Sequence, residues 1–447
     1  MSFIKKSIFG TFRDPCLDLR ELRELTRSLK IASVREEVDD NQVAQLADCL
    51  VEAVNSSENE ELLLESLRAL RNLVAGVKQN QIYVADKVLK REGFNFWDLC
   101  IQDNSRSSSD IIARLRICVQ FLGNLISNNL KIQQENFEPL LSSLHFLLGK
   151  VDQQVSLLAC MPLLSLLQSA SYLDPSQQSS LAASLPFLLV LLESAPEEGS
   201  DFLHLCLPAL IKSPQLFPLL SPADRASCLD LILPGDEENI LAFDMSPESI
   251  SALSHDFTQA TDGLLTTNMI TCLDQLHPAQ VLKMTQVLAV ASGSEDFRQV
   301  LQEHRSLVLN TLYLLRMAHQ ASRSGVEGLS LLGKMSDTEG SSSGEKIEEG
   351  PAFGFLAALV RLLANLVWGN KFNQDLVGEL EGLQLLLDCT QVDARNPLIT
   401  QWSILAVKAL TENHPANQAI LAGLRRDGAM DGSLLKELNI QQRSKVQ

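Results

Sequence analysis

The sequence is poor in aromatic residues, in cysteine motifs and in positive charge. Only 5% of its 447 residues are aromatic, and its nine cysteines never form a C-x-x-C pair. Widely spaced cysteines within apolar strings predict reduced core thiols rather than a disulfide framework or a thiolate metal site. The 55 acidic and 37 basic residues give a net charge of −18, which disfavours nucleic acid as a partner and favours basic proteins.

Long apolar runs are also missing. The first residues, MSFIKKSIFGTFRDP, lack the apolar stretch of a secretory signal. No run of about 20 residues is apolar enough to span a bilayer. We therefore expect a cytoplasmic protein that does not insert into membranes and whose partners are other proteins.

Motifs for catalysis or cofactor binding are equally scarce. The segment 328–335, GLSLLGKM, approaches a phosphate-binding loop through Gly328, Gly333 and Lys334, but Met335 stands where a Mg²⁺-binding Ser or Thr is required. The seven histidines form no H-E-x-x-H motif, and no G-x-S-x-G nucleophile motif occurs. We predict a non-enzymatic protein without a cofactor or a metal ion.

What the sequence does contain is helical periodicity. Apolar residues recur at intervals of three and four, which predicts an all-α chain. The clearest runs are Leu63, Leu67, Leu70, Leu73 and Val74, and Leu359, Leu362, Leu363 and Leu366. Prolines such as Pro162, Pro186, Pro208 and Pro222 are expected at helix starts or breaks, where their missing N–H is tolerated.

Four segments repeat one another, at 67–81, 118–134, 359–374 and 404–418. When Leu73, Leu125, Leu366 and Leu410 are placed in register, the residue before each leucine defines what we call the ladder position. The ladder positions are Asn72, Asn124, Asn365 and Ala409. Seven residues after each leucine come the pairs Asn80-Gln81, Ile132-Gln133, Asn373-Gln374 and Asn417-Gln418.

The spacing of these repeats predicts the fold class. Asn72 and Asn124 are 52 residues apart, and Asn365 and Ala409 are 44 apart, close to the length of armadillo and HEAT units. One such unit cannot bury its apolar face alone. We therefore predict an armadillo/HEAT-like α-solenoid, a right-handed superhelix of stacked helices, with repeat boundaries ambiguous through 186–300.

A polar, Gly/Ser-rich stretch interrupts the helical pattern. It contains SDTEGSSSGEKIEEG and has too few apolar side chains to offset the entropy of ordering. We predict helical repeats over 1–322, an acidic loop over 323–350 and a C-terminal armadillo-like domain over 351–440. Ser336, followed by acidic residues, is a candidate phosphorylation site within that loop.

The C-terminal string resembles the ataxin-10 family. Its landmarks are Asn365-Leu366, Asn370-Lys371, Asn373-Gln374-Asp375, Asn396-Pro397, Trp402, Leu410-Thr411-Glu412 and Asn417-Gln418. LRICVQFLGNLISNN (115–129) is similar to a second segment of that family. The resemblance implies an armadillo-like, non-enzymatic scaffold acting in neuronal survival, neuron projection (neurite) outgrowth, cytokinesis and cell division. It also implies a cytoplasmic location that extends to the perinuclear region.

The repeated amides allow two interpretations. On a helix, residues four apart share a face, so the ladder asparagines and the residues four earlier are candidates to line a protein-binding groove. The candidate groove residues are Arg68, Asn72, Gln120, Asn124, Arg361 and Asn365. Arg68 and Arg361 favour an acidic partner segment, and no tryptophan precedes the asparagines by four residues, as binding of basic localisation peptides requires.

The other interpretation is structural. Asn370, Asn373 and Asn413 lie near predicted helix ends, where amides satisfy unpaired backbone groups or adopt left-handed conformations. A further alternative for the whole protein is a structural assembly in which exposed terminal helices stack into homo-oligomers.

Overall fold

The structure is a computed structural model that describes residues 19–36, 41, 43, 46–48, 51, 52, 54, 60–89, 108–150, 152–196, 199–232, 245–266, 278–324, 353–391, 393 and 395–424. Within these residues all regular elements are helical, which confirms the all-α prediction. The chain divides into two compact units, Met1–Leu220 and Ser221–Gln447.

The first unit is a stack of long helices separated by shorter ones. Its α-helices are α1 (Leu19–Ser28), α2 (Ala32–Glu36), α3 (Glu60–Leu73), α4 (Lys78–Leu89), α5 (Ser108–Ile126), α6 (Leu130–Glu135), α7 (Phe137–Lys150), α8 (Gln153–Gln168), α9 (Pro175–Ala182), α10 (Leu185–Ser194) and α11 (Asp201–Ile211). Helices α1, α3, α5, α8 and α11 pack in that order, each against the next. This succession is armadillo-like.

The second unit repeats the arrangement. Its helices are α12 (Pro222–Ser227), α13 (Leu229–Ile232), α14 (Pro247–Thr266), α15 (Pro278–Ala291), α16 (Glu295–Gln302), α17 (Arg305–Arg323), α18 (Phe355–Val367), α19 (Lys371–Glu379), α20 (Gly382–Asp388), α21 (Ile399–Thr411) and α22 (Pro415–Gly423). Helices α14, α15, α18 and α21 pack successively, while α17 covers α14 and α18.

The apolar stripes form the core as the periodicity predicts. Every leucine of the two runs given above is at most 4% exposed. In α18 the stripe is wider than one face, because this helix is covered by α15, α17 and α21. The armadillo-like fold class is therefore confirmed at the level of each unit.

The prolines divide into two groups. Pro186 and Pro222 occupy the first turn of α10 and α12, as expected. Pro162 and Pro208 instead lie inside α8 and α11, where the prediction of a helix break was wrong. Tertiary burial explains the difference, because Pro162 sits in a helix with ten buried residues that hold it against its neighbours.

The division of the chain differs from the one expected from composition. Unit boundaries fall at Leu220 and Ser221, whereas the sequence suggested a boundary at 323–350. Helix α18, which follows that segment, packs against α15 and α17, which precede it. Helices on both sides of the acidic stretch thus share one core, and an autonomous domain over 351–440 stays a proposal.

Thiol chemistry gives a first testable prediction. Burial, and secondarily a neighbouring aspartate, raises the pKa of Cys228 and Cys389 to about 12. Because only the thiolate is nucleophilic, we expect iodoacetamide at pH about 8 to leave both unmodified in the native protein and to alkylate them in urea. Peptide mass spectrometry measures this, and alkylation of native Cys389 at its unfolded rate contradicts it.

Candidate protein-binding surface

The ladder asparagines hold neighbouring repeats together. Each side-chain amide donates a hydrogen bond to a backbone carbonyl of the long helix that precedes it in the stack. The bonds join Asn72 to Thr26 (3.0 Å), Asn124 to Arg71 (3.1 Å) and Asn365 to Ala289 (3.4 Å). Asn365 also donates to the Ser292 hydroxyl at 3.0 Å. Asn72 and Asn365 are buried, and these contacts account for the repeated asparagine without any ligand.

The residues four positions earlier are more accessible but already engaged. Arg68 forms an ion pair with Glu65 at 3.0 Å, and its side chain is 42% exposed. Gln120 accepts a hydrogen bond from the Arg71 guanidinium at 2.6 Å. All three predicted positions of this type, with Arg361 as the third, are intermediate in burial. They therefore lie at the surface that the stacked helices present.

Arg71 is a member of this surface that the sequence comparison missed. Its guanidinium reaches Gln120 on the next long helix and also donates to the Asn72 side-chain oxygen at 3.1 and 3.2 Å. Burial, followed by the nearby Arg68 charge, lowers the pKa of Arg71. The sequence signal was its place directly before a ladder position, which only the repeat alignment reveals.

In the second unit, Arg361 contacts Trp402 of the next long helix. The Arg361 guanidinium carbon lies 4.8 Å from the centroid of the Trp402 ring, which is cation–π geometry. Trp402 lies in the first turn of α21 and Arg361 lies on α18. Because they are on different helices, residue spacing along one helix could not predict their contact. Leu405, one turn further along α21, is 47% exposed.

The Asn-Gln pairs are a second set of inter-helix bonds. The first amide of each pair donates to the carbonyl seven residues earlier, at the end of its own repeat's long helix. These bonds join Asn80 to Leu73 (3.0 Å), Asn373 to Leu366 (2.9 Å) and Asn417 to Leu410 (2.9 Å). In the first and third pairs the second amide donates forward, to the next ladder residue and the residue three beyond it. Those bonds join Gln81 to Asn124 and Ser127, and Gln374 to Ala409 and Glu412.

In the second copy the predicted pair is displaced by one residue. Ile132 is buried core, so Gln133 donates to the carbonyl seven residues earlier, of Ile126, at 2.8 Å. Gln134 then donates to Tyr172 at 2.6 Å. The alignment of Ile132-Gln133 with the Asn-Gln pairs was wrong in register. Gln302, absent from the alignment, makes the same forward bonds to Asn365 and Trp368.

The capping interpretation of the C-terminal amides is confirmed. Asn370 is the N-cap of α19, and its side chain accepts the Asn373 backbone N–H at 3.1 Å. The residue four after each ladder position adopts a left-handed conformation, which glycine and asparagine tolerate best. These residues are Gly76, Asn128, Gly369 and Asn413, with φ between 54° and 77°.

His414 takes the N-cap place of α22. Its Nδ1 accepts the Asn417 backbone N–H at 3.1 Å, so the ring proton is on Nε2, which donates to Asp375 Oδ1 at 2.7 Å. Lys371 also contacts this carboxylate at 2.9 Å. Hydrogen bonds from Lys371 and then His414 lower the pKa of Asp375 below its usual value.

This lowered pKa predicts an acid-sensitive contact. A carboxyl whose pKa is depressed in the folded state contributes stability above its unfolded pKa, near 4, and loses it as pH falls through the folded value. We therefore expect hydrogen exchange of α22 amides to accelerate below pH about 4 in the wild type. Asp375→Asn should remove this dependence, and an unchanged acid profile in that variant contradicts the assignment.

Two features singled out in the sequence, the candidate phosphorylation site and the segment that approaches a phosphate-binding loop, are not part of this surface. Ser336 and the 328–335 segment fall outside the described residues. In the part of the chain that the structure describes, no helix is both long and apolar enough to cross a membrane. No group of three or more His, Cys, Asp or Glu side chains comes together to hold a metal ion among those residues.

Comparison with known proteins bears on the whole chain. A family model described as the spinocerebellar ataxia type 10 protein domain, whose name refers to homo-association, matches residues 355–447. Ataxin-10 of Bos taurus is 26% identical over 462 residues, covering 96% of this chain and 92% of that protein. Ataxin-10 of Homo sapiens is 26% identical with the same two coverages. The ataxin-10 homolog of Dictyostelium discoideum is 35% identical over 88 residues, 20% of this chain and 14% of that protein.

Two solved structures also align with the chain. An engineered protein matches 57% of this chain and 98% of its own length at 16% identity, with a TM-score of 0.41. A structure from work on the phosphorylation-controlled interaction between cadherin and β-catenin covers 98% of this chain and 85% of its own, at 14% identity and a TM-score of 0.43. Residues 355–447 therefore match the spinocerebellar ataxia type 10 protein domain, and the chain is similar to ataxin-10 proteins over nearly its whole length.

Proposed function

We propose that this protein is a non-enzymatic, protein-binding scaffold of the ataxin-10 type. In each of the two units, partners bind along the face presented by the ladder positions and the residues four earlier. The candidate residues are Arg68, Asn72, Gln120, Asn124, Arg361 and Asn365. Family resemblance supports a cytoplasmic and perinuclear role in neuronal survival, neurite outgrowth and cytokinesis.

The observation that carries this proposal is that the ladder asparagines and the residues four positions earlier have different roles. The ladder asparagines are occupied with backbone carbonyls of adjacent helices, so they order the stack. The positions four earlier stay at the surface and present side chains such as Arg68 and Arg361. A prearranged surface reduces the entropy lost on binding, which favours recognition. Among the six candidates, contact with a partner therefore falls on Arg68, Gln120 and Arg361.

The test places a photo-crosslinking amino acid at Leu405, on this face of α21, or at Met317 of α17. Both sites are apolar and comparably exposed, at 47% and 37%. The proposal expects protein adducts in cells from position 405 and few from position 317. Equal adduct patterns from both positions count against the groove. Substituting Asn365 is a poor test because it removes two bonds that hold α15 to α18.

A homo-oligomeric assembly is the second candidate. The name of the matching family model, which refers to homo-association, favours it. Two exposed leucines also favour it: Leu398, just before α21, is 60% exposed and Leu405, on α21, is 47% exposed. Sedimentation velocity distinguishes the two candidates. A monomer at micromolar concentration removes the assembly, whereas a crosslink at position 405 between two copies of the chain supports it.

A further inference from the structure

Charge is distributed unevenly among the helices of the second unit. The chain carries a net charge of −18, yet helices α15, α18 and α21 contain no Asp or Glu within their bounds. Their charged residues are Lys283, Arg361 and Lys408, one on each helix. These helices pack successively, α15 on α18 and α18 on α21. A locally basic layer thus lies inside an acidic protein.

The repeat register places these cations on one face. In the first unit a ladder asparagine donates to the residue before the preceding ladder position, as Asn124 does to Arg71. Asn365 donates to Ala289, so Val290 is the ladder position of α15. Lys283 is then seven residues before it, on the same helix face because i and i+7 nearly coincide.

The neighbouring helices follow the same rule. Arg361 is four residues before its ladder position, and Trp402 and Leu405 are seven and four before Ala409. Lys408 directly precedes the ladder position, as Arg71 does, and Arg71 reaches across to Gln120 on this same face. Lys408 is exposed.

Apolar surface accompanies the charge. Arg361 lies over the Trp402 ring, and Leu405 and Leu398 are 47% and 60% exposed. We name Lys283, Arg361, Trp402, Leu405 and Lys408 the basic face. Lysine and arginine side chains donate hydrogen bonds to carboxylates, a guanidinium in bidentate geometry, and an exposed leucine offers a contact for an apolar side chain.

We propose that the basic face binds an acidic segment of a partner protein in which carboxylates flank apolar residues. This assignment rests on the proposed scaffold function and names the class of partner. Charge complementarity argues for it, because α15, α18 and α21 carry three cations and no carboxylate in a chain whose net charge is −18. An RNA strand is disfavoured, since a long polyanion also meets the surrounding negative charge.

The test is a fluorescence anisotropy titration of the full chain with a fluorescein-labelled peptide of repeating Glu-Glu-Leu. The variant Lys283→Glu with Lys408→Glu is compared with Lys78→Glu with Lys131→Glu, which changes net charge equally on α4 and α6. We expect the first pair to weaken binding about tenfold and the second to leave it unchanged. Affinity for the wild type should fall as salt rises, because Lys408 is exposed and Lys283 and Arg361 are only partly buried.

Several results overturn the assignment. One is equal affinity of the two double variants, and another is wild-type binding of a U-rich RNA at least as tight as that of the peptide. A third is tighter binding of a synthetic peptide with the chain's own 336–349 sequence than of the Glu-Glu-Leu peptide. That result would mean that a segment of the chain itself occupies the basic face. If the first pair lowers thermal stability, Lys283→Gln with Lys408→Gln replaces it, with about threefold weakening expected.

The experiments distinguish an error in the proposed acidic partner from an error in the proposed scaffold function. Crosslinks from position 405 to a partner that persist in the Lys283→Glu, Lys408→Glu variant leave the groove in use but reject an acidic partner. Loss of those crosslinks in this variant, with retention in the Lys78→Glu, Lys131→Glu control, supports both.

Discussion

Replacing Asp256 by alanine is expected to lower the free energy of unfolding of the second unit by about 3–5 kcal/mol. Asp256 on α14 is 2% exposed and accepts two hydrogen bonds from Arg225 on α12, at 2.6 and 2.7 Å. Removing the carboxylate takes two hydrogen bonds and the facing negative charge away from a buried guanidinium, which costs more than the pair itself contributes. Urea unfolding followed by circular dichroism measures the change.

The control for this prediction is replacement of both partners. Arg225→Met with Asp256→Leu removes both charges of the pair and restores apolar packing, so we expect a smaller loss of stability than from Asp256→Ala alone. The coupling between the two single changes is then several kcal/mol. If Asp256→Ala lowers the free energy of unfolding by less than about 1 kcal/mol, Arg225 and Asp256 do not form a buried ion pair in solution.

Replacing Asn373 by alanine is expected to cost about 3 kcal/mol. Asn373 is fully buried, and its amide donates to the Leu366 carbonyl at 2.9 Å and the Gln302 carbonyl at 3.0 Å. Alanine removes the donor from two carbonyls where water cannot replace it, and leaves a small void. Because α16, α18 and α19 meet at this side chain, hydrogen exchange should accelerate in all three.

The matched control is Gln418→Ala on α22. Gln418 corresponds to Gln374 in the repeat register, but it is exposed and donates only to Thr411 of its own repeat, at 2.9 Å. Surface substitutions of this kind change stability by at most about 0.5 kcal/mol. Equal destabilisation by Asn373→Ala and Gln418→Ala contradicts a role for Asn373 in joining repeats.

Local features of the fold were predictable from sequence because they depend on nearest neighbours along the chain. The three-and-four spacing of leucines predicted the buried stripes of α3 and α18, and short amides predicted the N-cap at Asn370 and the left-handed Asn413. Asn-Leu recurrence predicted the repeat unit. The prediction was wrong for Pro162, since burial against neighbouring helices outweighs the lost hydrogen bond.

The candidate site was predictable only in part. The alignment proposed Arg68, Gln120 and Arg361 for a binding groove, which stays a prediction; the structure shows that all three are intermediate in burial. It assigned the ladder asparagines to a groove, whereas their amides bond carbonyls of the preceding helix. Whether an amide faces solvent or a neighbouring backbone depends on the approach of a second helix, which one helix's sequence does not contain.

The helical class and three of the four repeat copies were readable from the amino-acid sequence, because periodicity and turn chemistry depend on residues close together along the chain. Only the tertiary structure decided the pairing of Arg225 with Asp256, of Arg361 with Trp402 and of Gln302 with the end of α18. These partners are 31, 41 and 63 or more residues apart. Their meeting depends on how successive helices stack, and that is set by the summed packing of whole faces rather than by any local pattern.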